Sequence, residues 1–211
     1  MLTLYYAPGA CSIAAHISLE DIGARYQEQR VSLADNEHLS EEYLRVNPHG
    51  RVPALRTEDG SILTENVAIL PYIAKLAGHE RLLPSGHLEE AKCLSFLGFL
   101  STSVHGAYGH ILRPWRYSSK DELVQQIVKQ TALAAYEQYC KEIDELLKDK
   151  TWFAGSAFTV CDPYAFVFYR WGKVQGLPME EFAAWTLHTR RMLERRSVRQ
   201  VLAAEGIASP F

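Results

Sequence analysis

The sequence predicts an α/β unit of about eighty residues followed by an all-helical one, and three observations carry that prediction. Short apolar stretches of strand character alternate with helical ones through the first part of the chain. Beyond Leu88 the strand signals vanish and apolar residues recur at helical spacing. Between the two lies a turn-rich stretch containing Leu83-Pro84-Ser85-Gly86. The expected boundaries are 1–79 for the first domain, 80–87 for a linker and 88–211 for the second.

Each element follows from local chemistry. Leu2 to Tyr6 reads as a buried strand closed by the Pro8-Gly9 turn, and Ser12 to Ile22 as a helix that Gly23 ends. Tyr26 to Leu33 alternates as a second strand, and a helix between two strands predicts that they run parallel. Ser40 is placed to cap a short helix through Val46, which Asn47-Pro48-His49-Gly50 terminates. Val52 to Arg56 and Ser61 to Leu63 are strands around Glu58-Asp59-Gly60, a hairpin turn. Thr64 is expected to cap a helix to about Leu76, stopped by Gly78. The order is βαβ–α–ββα. Farther on, Leu94, Leu97, Leu100, Val104 and Tyr108 trace one helix, and Ile127, Leu133, Tyr136, Tyr139, Ile143 and Leu147 another. Thr159-Val160-Cys161-Asp162 reads as a capping box that opens an apolar helix with Tyr164, Phe166 and Phe168.

Composition narrows the function. A net charge of −3 with 22% charged residues favours neither nucleic acid nor an anionic membrane surface. Arg190, Arg191, Arg195, Arg196 and Arg199 form one basic run, but acidic residues interrupt or flank it, so it reads as a solvated helix face. No apolar stretch reaches the length of a membrane span, and no Lys or Arg precedes Arg25, so neither a membrane segment nor a signal peptide is expected. Four scattered cysteines without a Cys-x-x-Cys pair fit reduced thiols in a cytoplasm and no metal site.

Three motifs of the first unit carry chemistry. Tyr5-Tyr6-Ala7-Pro8-Gly9-Ala10-Cys11-Ser12 places a thiol where a helix begins, and free N–H groups and the positive end of the dipole favour its thiolate. A cysteine there is also a common packing residue. Gly50-Arg51-Val52-Pro53 opens a strand with proline; if Val52-Pro53 is cis, the Val52 backbone groups point outward and can pair with an extended peptide. Leu63-Thr64-Glu65-Asn66 joins a strand to a helix start, where N–H groups can hold a carboxylate and Glu65 can accept from an ammonium.

In combination these segments resemble the cytosolic glutathione transferases, most closely the bacterial beta class, and the resemblance extends over the whole chain. It implies a thioredoxin-like N-terminal domain, an all-helical C-terminal domain, glutathione as co-substrate with no tightly bound cofactor, and a homodimer. By the same resemblance Cys11 matches the beta-class cysteine beside the glutathione sulfur, and Tyr6 a thiol-activating hydroxyl of other classes. Val52 matches the residue pairing with the cysteinyl unit, Pro53 the cis-proline, and Glu65 with Asn66 the pair holding the γ-glutamyl end. His105 matches a histidine facing the cysteine. The beta pattern has a basic residue in the loop after the second strand, but this chain has Ala34-Asp35-Asn36-Glu37-His38 there; Asn36, His49 and Arg51 are candidates to hold the glycyl carboxylate. Gly98 and Gly106 replace an asparagine and a lysine of that pattern.

The expected reaction is attack of the glutathione thiolate on a small hydrophobic electrophile. Free cysteine has a pKa of about 8.5, so a useful site lowers it by one or two units, each about 1.4 kcal/mol. The expected donors are the first-turn N–H groups, the Cys11 thiol, the Ser12 hydroxyl and His105. Ala10, Tyr108, Ile111, Leu112, Trp115 and Tyr117 are expected to line the apolar pocket; aromatic residues at helical spacing are also common core. Two other readings stay open: glutathione-dependent thiol exchange or peroxide reduction through Cys11, and a binding scaffold without turnover.

Overall fold

The computed structural model describes residues 1–78, 82–118 and 120–211. The end of the expected first domain and the start of the linker, residues 79–81, lie outside the described residues. Four strands, β1 (Leu2–Tyr6), β2 (Tyr26–Arg30), β3 (Ala54–Arg56) and β4 (Ile62–Thr64), form one sheet in the order β2-β1-β3-β4. β1 runs parallel to β2, in register Leu2 to Tyr26, and antiparallel to β3; β3 and β4 make the hairpin. This is the βαβ–α–ββα order the sequence predicts. β2 stops at Arg30 rather than Leu33: it is an edge strand whose residues beyond Tyr26 are exposed.

The helices of the first unit are α1 (Ile13–Ile22), α2 (Glu41–Val46) and α3 (Asn66–Leu76). Gly23, with φ of 67°, closes α1 in the left-handed conformation that costs glycine least. Ser40 caps α2 through a bond from the Tyr43 N–H at 3.2 Å. α3 departs from expectation: Thr64 ends β4, and Glu65 takes the cap position at φ of 68°.

The second part contains α4 (His87–Phe99), α5 (His105–Leu112), α6 (Glu122–Leu147), α7 (Cys161–Val174), α8 (Ala183–Glu194) and α9 (Arg196–Glu205). The apolar series from Leu94 to Tyr108 is not one uniform helix, because a π-helical turn over Leu100–Val104 joins α4 to α5. The sheet buries two faces. Tyr5, Val31, Tyr43 and Ala54 pack together under α2. Leu4, Tyr6, Ile13, Ile17 and Leu55 join one continuous core with Tyr164, Phe166 and Phe168 of α7. The two halves therefore share a core across α1, which is why the loop after β1 can be held from the second.

Capping at α7 also differs from expectation. Val160 is the cap, and the Thr159 hydroxyl donates to Asp162 at 3.1 Å instead of accepting from a helix N–H. Only the reverse half of the box forms, with the Thr159 N–H donating to Asp162 at 2.7 Å. The same buried carboxylate accepts from the Phe153 N–H and His188 Nε2. Of the basic run, Arg195 is not simply solvated: it pairs with Asp21 at 2.6 Å and lies 3.7 Å over the Phe158 ring.

Candidate active site

The loop from β1 to α1 is clamped from the helical part. Gly9, at φ of 77°, turns the chain. Its N–H donates to Glu205 of α9 at 3.0 Å, and its carbonyl accepts from Trp171 Nε1 of α7 at 3.0 Å. Glu205 also meets Nδ1 of buried His16 at 2.9 Å. The Ser12 side chain is fully buried and satisfies both backbone groups of Ala7, accepting from the N–H and donating to the carbonyl, each at 3.2 Å. The Ser12 hydroxyl thus closes the loop, its proton on the Ala7 carbonyl.

Cys11 lies in the turn two residues ahead of the regular helix, not in its first turn. Its carbonyl accepts from Asn66 Nδ2 at 3.0 Å, which ties α3 to the loop. Its Sγ donates to the Val52 carbonyl at 3.3 Å. The thiol is 7% exposed, and burial pushes its pKa up to about 12, with the Glu65 carboxylate adding in the same direction. Its own N–H, Arg113 and Arg51 pull the other way and lose. Removal from water costs the charged form of Cys11 more than the helix start returns.

The other segments converge on this sulfur. The Val52-Pro53 bond is cis. The Arg51 carbonyl accepts from Tyr43 Oη and Asn47 Nδ2, both at 2.7 Å, which fixes the loop while leaving the Arg51 side chain exposed. Glu65 is exposed and Asn66 buried at the start of α3. His49 is exposed, with its backbone N–H bound to Asn47 Oδ1. Cys11, Val52, Pro53, Glu65 and Asn66 thus share one site, with Arg51 at its edge.

Two expected members differ. Tyr6 projects to the face of β1 under α1, its ring 5.2 Å from that of His16. Burial and the Glu28 and Glu205 carboxylates raise its pKa, and among the described residues no hydrogen bond joins it to Cys11. His105 stands at the π-turn, its Nδ1 3.3 Å from Tyr164 Oη and its ring 5.1 Å from that of Trp171. Burial, then the charges of Arg51 and Arg113, push its pKa down to about 4, so it is neutral at physiological pH.

Residues 1–75 match the family model for the glutathione S-transferase N-terminal domain. The glutathione S-transferase GstA of Escherichia coli O157:H7 is 34% identical over 98% of this chain and 100% of its own length. The chain belongs to the glutathione transferase family. Its beta-like character is supported by the bacterial beta class transferase of Sphingomonas chungbukensis, 37% identical with a TM-score of 0.86 over 98% of this chain and all of that one. A Sulfitobacter glutathione transferase homologue with bound glutathione superposes at a TM-score of 0.92, 32% identical over 99% of each chain.

Within this transferase site, sequence reasoning missed two residues. Tyr164 of α7 presents its hydroxyl to His105, and its charge environment includes Cys11. Arg113, half-buried at the end of α5, supplies positive charge toward both Cys11 and His105. Among the described residues no carboxylate pairs with it. Of the expected pocket walls, Tyr108 and Ile111 are buried, and Tyr108 stacks on Trp171 at 4.2 Å. Leu112, Trp115 and Tyr117 are exposed. Among the described residues no three His, Cys, Asp or Glu converge on a metal site, and no helix is long and apolar enough to cross a membrane.

Proposed function

We propose that the protein conjugates the thiolate of glutathione to small hydrophobic electrophiles, with the reacting sulfur belonging to glutathione. The observation that carries this reading is the state of Cys11: a buried thiol pushed up to about 12 and donating to a backbone carbonyl. At neutral pH such a group donates a hydrogen bond to a neighbouring thiolate far more readily than it attacks. Val52 would pair with the cysteinyl unit, Glu65 and Asn66 would receive the γ-glutamyl end, and neutral His105 would serve as a polar neighbour and not as a cation. Arg51 and Arg113 supply the positive charge for the glycyl carboxylate that the loop after β2 lacks. The reading includes a cytoplasmic homodimer in a detoxifying role, with the domain boundaries given above.

The test is a turnover screen of the wild type and Cys11→Ala with glutathione and an aryl halide, an epoxide and a hydroperoxide. Conjugation in the variant should stay within about tenfold of the wild type, because glutathione brings its own sulfur. A loss of conjugation of about a hundredfold or more would make Cys11 the nucleophile and move the assignment to thiol exchange. Failure of the wild type to bind glutathione at millimolar concentration would leave the scaffold reading.

A further inference from the structure

A second pair of thiols lies away from this site. A cavity of about 900 Å³ opens between the start of α4, the end of α6 and the segment leading into α7. Cys93, Cys161, Thr159, Phe96, Phe153 and Lys92 contribute to its wall, and none of Cys11, Val52, Glu65 or His105 does. Cys93 lies on α4, and Cys161 is the first residue of α7. Their Sγ atoms are 3.1 Å apart, and Cys161 Sγ is 3.4 Å from the Cys93 carbonyl. A disulfide bond is about 2.05 Å long, so the two sulfurs need to close by only about 1 Å to bond.

The pair is also chemically uneven. The Cys161 S–H beside it favours a thiolate on Cys93 and brings its pKa below the ordinary thiol value despite burial. Burial and that same neighbour hold Cys161 as a thiol. Cys161 Sγ donates to the Cys93 carbonyl, which leaves Cys93 the sulfur freer to attack and Cys161 the one to resolve, and the cavity gives a small oxidant a path to both.

We propose that Cys93 and Cys161 form a reversible redox site that a hydroperoxide entering this cavity oxidises to an intramolecular disulfide joining α4 to α7. The Cys93 thiolate attacks one peroxide oxygen, the O–O bond breaks, and the leaving oxygen takes up a proton to depart as water or an alcohol. Cys93 is then a sulfenic acid. The Cys161 sulfur attacks it, the S–S bond forms, and the sulfenic hydroxyl leaves as water with the Cys161 proton. With hydrogen peroxide the balance is two thiols and one peroxide giving one disulfide and two waters. Two molecules of a small thiol such as glutathione return the pair to thiols by exchange and leave as their own disulfide.

The experiment treats the full-length wild type with hydrogen peroxide, blocks remaining thiols with iodoacetamide, and maps unreduced peptides by mass spectrometry. The expected result is a cross-linked peptide joining Cys93 to Cys161, Cys140 still alkylated after unfolding, and loss of the cross-link on treatment with glutathione. The link spans 68 positions and should raise Tm by about 10 °C. In Cys161→Ser, oxidation should stop at a Cys93 sulfenic acid that dimedone traps. If that variant does not fold, the wild-type peptide map decides alone. Oxidation of Cys11 without the Cys93–Cys161 cross-link would overturn the proposal, as would separate overoxidation of Cys93 and Cys161.

Discussion

Cys11 and Cys161 each stand where a helix begins, yet their thiols face different partners. Cys11 meets a backbone carbonyl in a loop held from three directions: Glu205 and Trp171 on Gly9, Asn66 on the Cys11 carbonyl, and Ser12 on Ala7. Cys161 meets a second thiol, on a helix whose start is organised by the Asp162 carboxylate. Helix ends are alike in their free N–H groups, so the end itself does not decide the chemistry. What decides it is the group facing the sulfur and the loss of water around it. Burial keeps Cys11 protonated, its S–H resting on the Val52 carbonyl, whereas the second thiol beside Cys93 favours a thiolate there.

The largest effect should come from breaking the second helix start. Asp162 is fully buried and accepts from the Phe153 N–H, the Thr159 N–H and hydroxyl, and His188. Asp162→Ala leaves those donors without a partner in a site water does not reach, and should cost about 3–5 kcal/mol. Urea unfolding followed by fluorescence measures it. A cost below about 1 kcal/mol would show that this carboxylate does not organise the start of α7.

A smaller effect separates the first site by pH. His105 has a folded pKa of about 4, below its unfolded value of about 6.5. The unfolded chain therefore takes up the proton first. This contribution to stability is intact above about pH 6.5 and is lost as the pH falls toward 4, reaching up to about 3 kcal/mol. Between pH 7 and pH 5, His105→Gln should lose about 2 kcal/mol less stability than the wild type. Equal losses in the two proteins would show that His105 is not held neutral by its surroundings.

The sequence showed what is local and hid what depends on docking. The β1 turn, the Val52-Pro53 segment and Glu65-Asn66 are each a run of neighbouring residues whose turn and cap chemistry is readable, and the sheet brings them together around Cys11. Arg113 was not readable as part of the site, because it lies far along the chain from Cys11 and its charge reaches that thiol only in the folded protein. The contact between Cys93 and Cys161 crosses 68 positions and leaves no spacing pattern. Tyr6 and Ser12 show the opposite limit: they flank the site in the chain, but side-chain direction sends Tyr6 beneath α1 and Ser12 onto Ala7.

The smallest effect tests that last point. Ser12 satisfies the Ala7 N–H and carbonyl together, and the site is closed to water. Ser12→Ala removes one oxygen, leaves a void of little volume and strands both backbone groups. The expected loss is about 1–3 kcal/mol. A hydroxyl that only shapes the loop affects how much protein is folded, whereas one that donates to the reacting sulfur affects turnover by every folded molecule. Below the midpoint of thermal unfolding, kcat for glutathione conjugation by Ser12→Ala should therefore stay within about threefold of the wild type while Tm falls. A drop in kcat of about a hundredfold with Tm unchanged would return Ser12 to the catalytic group, because one hydrogen bond to a developing thiolate is worth about that much.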